Sequence, residues 1–224
     1  MKIDWRTEWP HWLVIAGLFA LAAASWSTAP DRIPVHWGLH GADRWGGRVE
    51  GLLALPFVAL GIYLLLLFLP RIDPGRANYP SFWGSYSTIR LGVLLVIAGI
   101  YLMTQLAMRG HRADVSVWAP LLVGALLVLV GNILGKLRPN WFVGVRTPWT
   151  LSSKRSWTRT HHAGGWVMIG LGVLLMAASL VRATWAIPAV AAIGGVAVAG
   201  LVAYSYFVWR GDPDKTPPAG TLPG

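Results

Sequence analysis

Residues 116–134 read SVWAPLLVGALLVLVGNIL and contain no charged side chain. The hydrocarbon core of a bilayer is about 30 Å thick, and a helix of roughly 20 mostly apolar residues crosses it. The stretch is long enough for one such crossing. It therefore predicts a transmembrane helix.

Five further apolar stretches flank this one along the chain. They cover about residues 10–29, 51–69, 89–108, 164–182 and 185–207, and none of the six contains Asp or Glu. A helix satisfies all its backbone hydrogen bonds internally, which a bilayer interior demands. We therefore predict an all-α membrane protein, a bundle of six transmembrane helices.

Composition supports a membrane protein and excludes several other classes. Of the 224 residues, 55% are hydrophobic and 12% charged, whereas soluble domains carry about 25% charged residues. The chain has no cysteine, which excludes disulfides, thiol chemistry and cysteine-bound zinc. Its net charge of +10 favours a bilayer with anionic lipids as the partner, with no direct contact to nucleic acid.

The distribution of Lys and Arg predicts the orientation. With a cytoplasmic N-terminus, 13 of the 19 basic residues fall in the inner segments, with Arg90 counted in an inner loop. The positive-inside rule favours this arrangement and places both termini in the cytoplasm. The segment 211–224 is rich in Pro and Gly, and we expect it to be a disordered tail.

Small residues recur every four positions in two of the predicted spans, and we interpret these faces as bundle contacts. Asn132, near the end of the fourth span, predicts a hydrogen bond between helices. The same features leave a small-solute or lipid transporter as an alternative, although no convincing two-fold repeat is visible. The small residues are Ala16, Ala20 and Ala24 in the first span, and Ala191, Gly195, Ala199 and Ala203 in the last.

The first loop, external in this topology, combines histidines, tryptophans and glycines. Two imidazoles and a carboxylate could bind a metal, and their spacing of four and three would align them on a helix. The glycines argue against a helix, so we favour a folded loop in which Asp43 accepts backbone hydrogen bonds and no metal is bound. The residues singled out are Pro34, His36, Trp37, His40, Gly41 and Asp43, with His36, His40 and Asp43 as the metal candidates.

The fourth loop, internal in this topology, contains residues 139–151, PNWFVGVRTPWTL. Thr147 followed by Pro148 predicts a helix start, with threonine as the cap and proline in the first turn. In that helix Trp157 would point away from Arg155 and Arg159, as in an interfacial helix with a basic face. A purely structural loop that orients the protein remains the alternative.

We expect no catalysis and no cofactor. The two histidine groups, His36 with His40 and His161 with His162, lie on opposite sides of about 30 Å of hydrocarbon and cannot share a metal. The zinc-protease, nucleophile-elbow and phosphate-loop signatures are absent from the sequence. A metal-dependent membrane enzyme that uses either histidine group stays open as an alternative.

The inner loop closely resembles the core motif of the SdpI family of bacterial membrane proteins, and the first loop with Pro56 resembles the uncharacterised module that often precedes that core. The division we expect is a three-helix module at 1–112, an SdpI-like core at 113–210 and the tail at 211–224. The motif residues are Asn132, Asn140, Gly144, Arg146, Thr147, Pro148, Trp149, Trp157, Arg159 and His161.

The resemblance implies a multi-pass protein of the bacterial inner membrane that confers immunity to a membrane-active peptide toxin met outside. In the best-known member of the family it also implies signalling, by recruitment of a winged-helix repressor to the inner face. Two positions depart from the pattern we expect: Arg48 stands in place of a lysine, and His162 in place of an arginine. Contacts of the inner loop can therefore differ in detail.

Overall fold

The protein, seen here in a computed structural model, is mostly helical, and residues 5–38, 41–111 and 114–216 are described. A two-stranded antiparallel sheet, β1 (Ile33–Gly38) and β2 (Gly41–Gly46), departs from the predicted all-α fold. A short 3₁₀ helix, Arg76–Phe82, precedes the third long helix. The α-helices are α1 (Trp5–Ser25), α2 (Arg48–Ile72), α3 (Trp83–Met108), α4 (Val115–Leu134), α5 (Pro148–Leu151), α6 (Lys154–Val181) and α7 (Ala186–Arg210).

Within the described residues, five helical segments are long and apolar enough to cross a membrane. They are α2, the stretch Arg76–Met108 that contains α3, α4, α6 and α7. Helix α1 has 21 residues but is not among the five; its first half carries Glu8 and His11. These segments indicate a multi-pass membrane protein, while the six-span count and the orientation of its ends stay predictions.

The chain forms two compact units, which are described separately. The first comprises Met1–Leu67 and Arg90–Val123, and the second Phe68–Ile89 and Gly124–Gly224. The first unit therefore contains α1 and the sheet. The second contains the inner loop, α5, α6 and α7.

In the first unit, α1 buries a face with alternating spacings of three and four residues. Glu8, His11 and Ile15 begin this face, and Leu18, Ala22 and Ser25 continue it. The predicted contact face of Ala16, Ala20 and Ala24 is exposed instead. Regular spacing of small residues did not identify the buried side of α1. The side that is buried carries polar residues near both ends of the helix, Glu8 and His11 at one and Ser25 at the other, and these have partners inside the unit.

The first loop folds as a β-hairpin whose base is anchored to α2. Ile33 is fully buried, and Gly51 leaves room for it, because a Cβ at Gly51 would lie 2.6 Å from the Ile33 side chain. The ion pair of Arg44 with Glu50 spans 2.7 Å and links β2 to the first turn of α2. Gly41 has a φ of 114°, which only glycine adopts without strain, so glycine is required at the start of β2.

In the second unit, four glycines allow α4 and α6 to pack backbone to backbone. A Cβ on Gly131 would lie 2.6 Å from the Gly165 carbonyl oxygen, and one on Gly124 would lie 2.7 Å from the Gly172 carbonyl oxygen. The glycines are seven residues apart on each helix and pair in opposite order, so the helices are antiparallel. Close approach of this kind supplies the dispersion contacts that lipid cannot replace.

Helix α7 contradicts the second small-residue prediction. Ala191, Gly195, Ala199 and Ala203 are all exposed. The buried residues of α7 include Ala186 and Ser205, near its two ends. The predicted bundle contact through the small residues is therefore wrong for this helix as well.

Two boundaries near the inner loop also differ from the sequence interpretation. The helix predicted to start at Pro148 ends at Leu151, and the residues after the break belong to one continuous helix, Lys154–Val181, that includes most of the span predicted at 164–182. The predicted disordered tail begins with residues 211–216, and these make hydrogen bonds to the loop between α5 and α6. Residues 217–224 of that tail lie outside the described residues.

Candidate functional site

The loop between α4 and α5 is organised from inside by Asn140. Its side chain is 1% exposed, and its Oδ1 accepts hydrogen bonds from the backbone N–H groups of Phe142 (3.0 Å) and Val143 (2.7 Å). Its Nδ2 donates to the carbonyl oxygens of Arg138 (2.9 Å) and Val143 (3.1 Å). The four hydrogen bonds use the full capacity of an amide, two donors and two acceptor lone pairs, which fixes the loop backbone around one residue.

A buried carboxylate that sequence reasoning missed holds the same loop. Asp73, 1% exposed, accepts from the backbone N–H of Trp141 at 3.1 Å and from the hydroxyl of Tyr79 at 2.8 Å. It also accepts from the N–H of Gly75 at 2.6 Å, an Asx turn. The available signal was the run Asp-Pro-Gly at 73–75, which marks a turn directly after an apolar span.

His161 joins the loop to α6 with both ring nitrogens. Nε2 accepts from the backbone N–H of Val145 at 3.0 Å, which assigns the proton to Nδ1; Nδ1 then donates to the carbonyl oxygen of Trp157 at 2.8 Å. The imidazole is fully buried and stacks on the Trp157 ring with centroids 3.9 Å apart. Both ring nitrogens form hydrogen bonds within the protein, so His161 links the loop to α6 and has no nitrogen available to bind a metal.

Gly144 permits this arrangement. Its φ of 112° lies in the left-handed region, and a Cβ at this position would overlap the His161 ring. Glycine is therefore required for both conformation and space. The predicted motif residues Gly144 and His161 form a single fitted contact.

Trp157 anchors the aromatic core of the second unit. It is 1% exposed and donates from Nε1 to the Leu137 carbonyl oxygen at 2.9 Å. It points inward while Arg155 and Arg159 are exposed, which confirms the predicted division of faces. The core cluster comprises Tyr79, Phe82, Tyr86, Leu134, Leu137 and Trp157.

Thr147 caps α5 as predicted, and it also fixes α7. Its Oγ1 accepts from the N–H of Thr150 at 3.1 Å, and the Thr150 hydroxyl accepts from the N–H of Thr147 at 2.9 Å. The Thr147 hydroxyl lies 2.9 Å from that of Ser205, which donates to Val202 at 2.6 Å. Thr147 is therefore the donor to Ser205, a residue that the sequence did not single out.

The remaining motif residues face outward. Asn132 is exposed, so the predicted hydrogen bond between helices is absent at this described position. Trp149 packs edge-on against Tyr206 with ring centroids 5.2 Å apart, and Pro148 occupies the first turn of α5. Arg146 donates to the carbonyl oxygen of Trp141 at 2.7 Å and is otherwise exposed. With Asn132 and both small-residue faces exposed, the observations that suggested a transporter lose their basis.

A basic groove opens beside this loop, with a volume of about 990 Å³. Its walls are the chain at 138–139, the turn at 150–155 and residues 212–216, and Arg138, Lys154 and Arg155 contribute its cations. We call it the basic groove. Asp212 and Asp214 also line it, on the side formed by residues 212–216.

The hairpin of the first unit brings together the two metal candidates that the structure describes, His36 and Asp43. His36 Nδ1 lies 2.6 Å from Asp43 Oδ1, and both side chains are more than half exposed. Within the described residues no group of three His, Cys, Asp or Glu side chains is placed to bind a metal. His40 lies outside the described residues, and Asp43 pairs with an imidazole where we predicted backbone hydrogen bonds. Pro34 and Trp37 lie in β1, opposite Trp45 and Ala42 respectively.

Comparisons with known proteins agree with the motif. Residues 136–205 match the SdpI/YfhL protein family, and residues 13–60 match a domain of unknown function, DUF1648. The chain is 22% identical over 163 residues to the immunity protein SdpI of Bacillus subtilis strain 168, covering 73% of this chain and 76% of that protein. No solved structure matches.

The SdpI/YfhL match at residues 136–205 ends in the second half of α7. It therefore includes the residues whose contacts build the loop: Asn140, Gly144, Thr147, Trp157, His161 and Ser205. The match at residues 13–60 covers the hairpin and the first half of α2. Their order along the chain is the one predicted from the sequence. The resemblance is therefore confirmed: the chain carries an SdpI/YfhL family region at residues 136–205, preceded at residues 13–60 by the uncharacterised module.

Proposed function

We propose that this protein confers immunity to a membrane-active peptide toxin, acting as a multi-pass protein of the bacterial inner membrane. The observation that carries the proposal is the similarity to an immunity protein across 73% of the chain, together with the family match at residues 136–205, which includes the interlocked loop from Asn140 to His161. A loop fixed by so many buried hydrogen bonds is preorganised, which lowers the cost of binding a partner. The role needs no catalysis and no cofactor.

In the proposed orientation the hairpin lies outside and the motif loop inside. Trp45 on the hairpin is 49% exposed, and Trp37 on the facing strand is half-buried. Tryptophan at this level suits a membrane interface, where an amphipathic toxin would be met. On the inner side, anionic lipids would neutralise the exposed Arg146 and Arg159.

Deletion of the gene, followed by challenge with a panel of secreted membrane-active peptides, tests the immunity role. We expect loss of membrane potential at lower peptide doses in the deletion strain and full rescue by the wild-type gene. Rescue should fail with Asn140→Ala, which removes the four loop hydrogen bonds, and should succeed with Asn132→Ala, an exposed position on the neighbouring helix. Immunoblots of the membrane fraction must show comparable amounts of both variants. Unchanged sensitivity of the deletion strain to every peptide would contradict the proposal.

We further propose that the inner face recruits a winged-helix repressor when toxin is present. The exposed cations of the motif loop support this part, because they provide a charged surface on a rigid frame. A repressor fused to a fluorescent protein should move to the membrane on addition of the toxin in the wild-type strain. Uniform cytoplasmic fluorescence, in a strain whose immunity is intact, would reject recruitment while leaving the immunity role in place.

A further inference from the structure

The segment 211–216, which we call the C-terminal strap, binds the turn between α5 and α6 through its backbone. The N–H of Thr216 donates to the Ser152 carbonyl oxygen at 3.1 Å, and the Thr216 hydroxyl donates to the same oxygen at 3.0 Å. Arg155 donates to the carbonyl oxygen of Gly211 at 3.2 Å. The turn therefore offers both an acceptor and a donor to a chain that lies across it.

The strap places a carboxylate at the start of α6. Asp212 is 5% exposed and accepts from the hydroxyl of Ser153, the residue that caps the helix through its bond to the Ser156 N–H. The positive end of the helix and the nearby Arg155 favour this negative charge. This end of the basic groove therefore already binds an acidic peptide segment, the strap of the same chain.

The remaining part of the basic groove has positive charge that the strap does not neutralise. Arg138 and Lys154 line the groove and are exposed. Within the described part of the chain, the side chains of these two residues form no ion pair. The strap thus covers only one side of the basic groove, and the positive charges of Arg138 and Lys154 lie beyond it.

We propose that the basic groove is a docking site for an acidic, extended segment of a cytoplasmic protein, and that the C-terminal strap occupies part of it until that segment binds. The proposal deepens the recruitment part of the proposed function and rests on it for the location of the partner. Peptide is favoured over a lipid headgroup because the Ser152 carbonyl needs a donor. A backbone N–H supplies one, and a backbone carbonyl of the same segment accepts from Arg155, as Thr216 and Gly211 of the strap do.

Cross-linking between Ser152→Cys and Thr216→Cys tests the proposal, because the chain has no native cysteine. The full-length double variant would be placed in nanodiscs of zwitterionic lipid and treated with a short thiol cross-linker. The probe is a capped peptide with the sequence of residues 211–216, and its matched control has both aspartates replaced by asparagine. We expect millimolar acidic peptide to slow cross-linking at least threefold and the asparagine peptide to have little effect.

A second pair of variants ties the effect to the groove. Arg138→Gln with Lys154→Gln should reduce the peptide effect several-fold, whereas Lys136→Gln with Arg71→Gln removes the same charge at exposed positions of the second unit outside the groove lining and should preserve it. No effect of the acidic peptide, or an equal effect of both peptides, would overturn the proposal. So would an equal slowing by anionic lipid alone, which would assign the groove to a headgroup. None of these readouts depends on a toxin, so failure here is distinguishable from failure of the immunity role.

Discussion

Glu8 and Arg90 are 82 positions apart in the chain and form a fully buried pair of hydrogen bonds, 2.7 Å and 3.0 Å long, within the first unit. The hydroxyl of Tyr63 donates to the same carboxylate at 3.0 Å. The sequence interpretation placed Glu8 before the first span and Arg90 in an inner loop. Both instead lie within helices, so their charges belong to the interior of the unit and Arg90 is not an interfacial anchor.

We predict that removing either partner of this pair is strongly destabilising. Glu8→Met leaves a buried guanidinium uncompensated, and Arg90→Met leaves a carboxylate, each at a cost of about 3–5 kcal/mol. The double variant should be more stable than either single one. Thermal unfolding in detergent measures this cycle. Additive losses in the double variant would show that the two side chains do not depend on each other.

The paired glycines of α4 and α6 give a prediction with internal controls. Gly165→Ala places a methyl group against the Gly131 carbonyl oxygen and should destabilise the second unit by roughly 2 kcal/mol, because the backbones must separate. Gly170→Ala meets nothing within 4 Å on the same helix and should be neutral or slightly stabilising. Unfolding midpoints of the two variants provide the comparison. Equal midpoints would argue against close packing of the two helices.

Asn140 should be the least replaceable residue of the motif loop. Asn140→Ala deletes four hydrogen bonds in a buried position and should cost about 3 kcal/mol, since each buried backbone group left unpaired costs roughly 1–3 kcal/mol. Limited proteolysis should then cut between residues 138 and 143. Asn140→Asp keeps the acceptor and loses the amide donor, so its cleavage rate should be intermediate. Protection of Asn140→Ala equal to that of the wild type would contradict this role.

The C-terminal strap should respond to acid. The hydrogen bond from Ser153, followed by the backbone N–H of Asp214 and the charges of Arg155 and Lys215, lowers the pKa of Asp212 despite its burial. A depressed pKa in the folded state stabilises the contact above the ordinary pKa of an aspartate, and that stability is lost as the pH falls through the depressed value.

A spin label at Thr216→Cys reports this transition as increased mobility at low pH. Asp212→Asn should remove the pH dependence of the label's mobility, because no carboxylate is left at this position to be protonated. Asp214→Asn, an exposed carboxylate next to it, should keep the wild-type profile. A profile unaffected by Asp212→Asn would show that another group controls the strap.

Orientation can be tested with single cysteines at two exposed positions. Ser27→Cys lies in the predicted external connection, and Thr158→Cys lies on the predicted inner face of α6. A membrane-impermeant maleimide applied to intact cells should label residue 27 and should reach residue 158 only after permeabilisation. The reverse pattern would invert the topology.

The sequence by itself determined five of the apolar spans, the cap at Thr147, the division of faces between Trp157 and the arginines, and the family resemblance. These properties depend on local hydropathy, on hydrogen bonds at helix ends and on residue order. All three are set by residues that are close together in the sequence. The motif could be recognised without knowing what its residues do.

Only the tertiary structure decided which residues meet. Glu8 with Arg90, Asp73 with Trp141, Thr147 with Ser205 and the glycine pairs join positions distant in the chain. The exposed alanine faces show why periodicity failed: lipid and protein are both apolar, so hydropathy does not distinguish a lipid-facing side from a packed one. The buried polar contacts distinguish them, because each buried donor or charge requires a partner that only the fold can bring within hydrogen-bond distance.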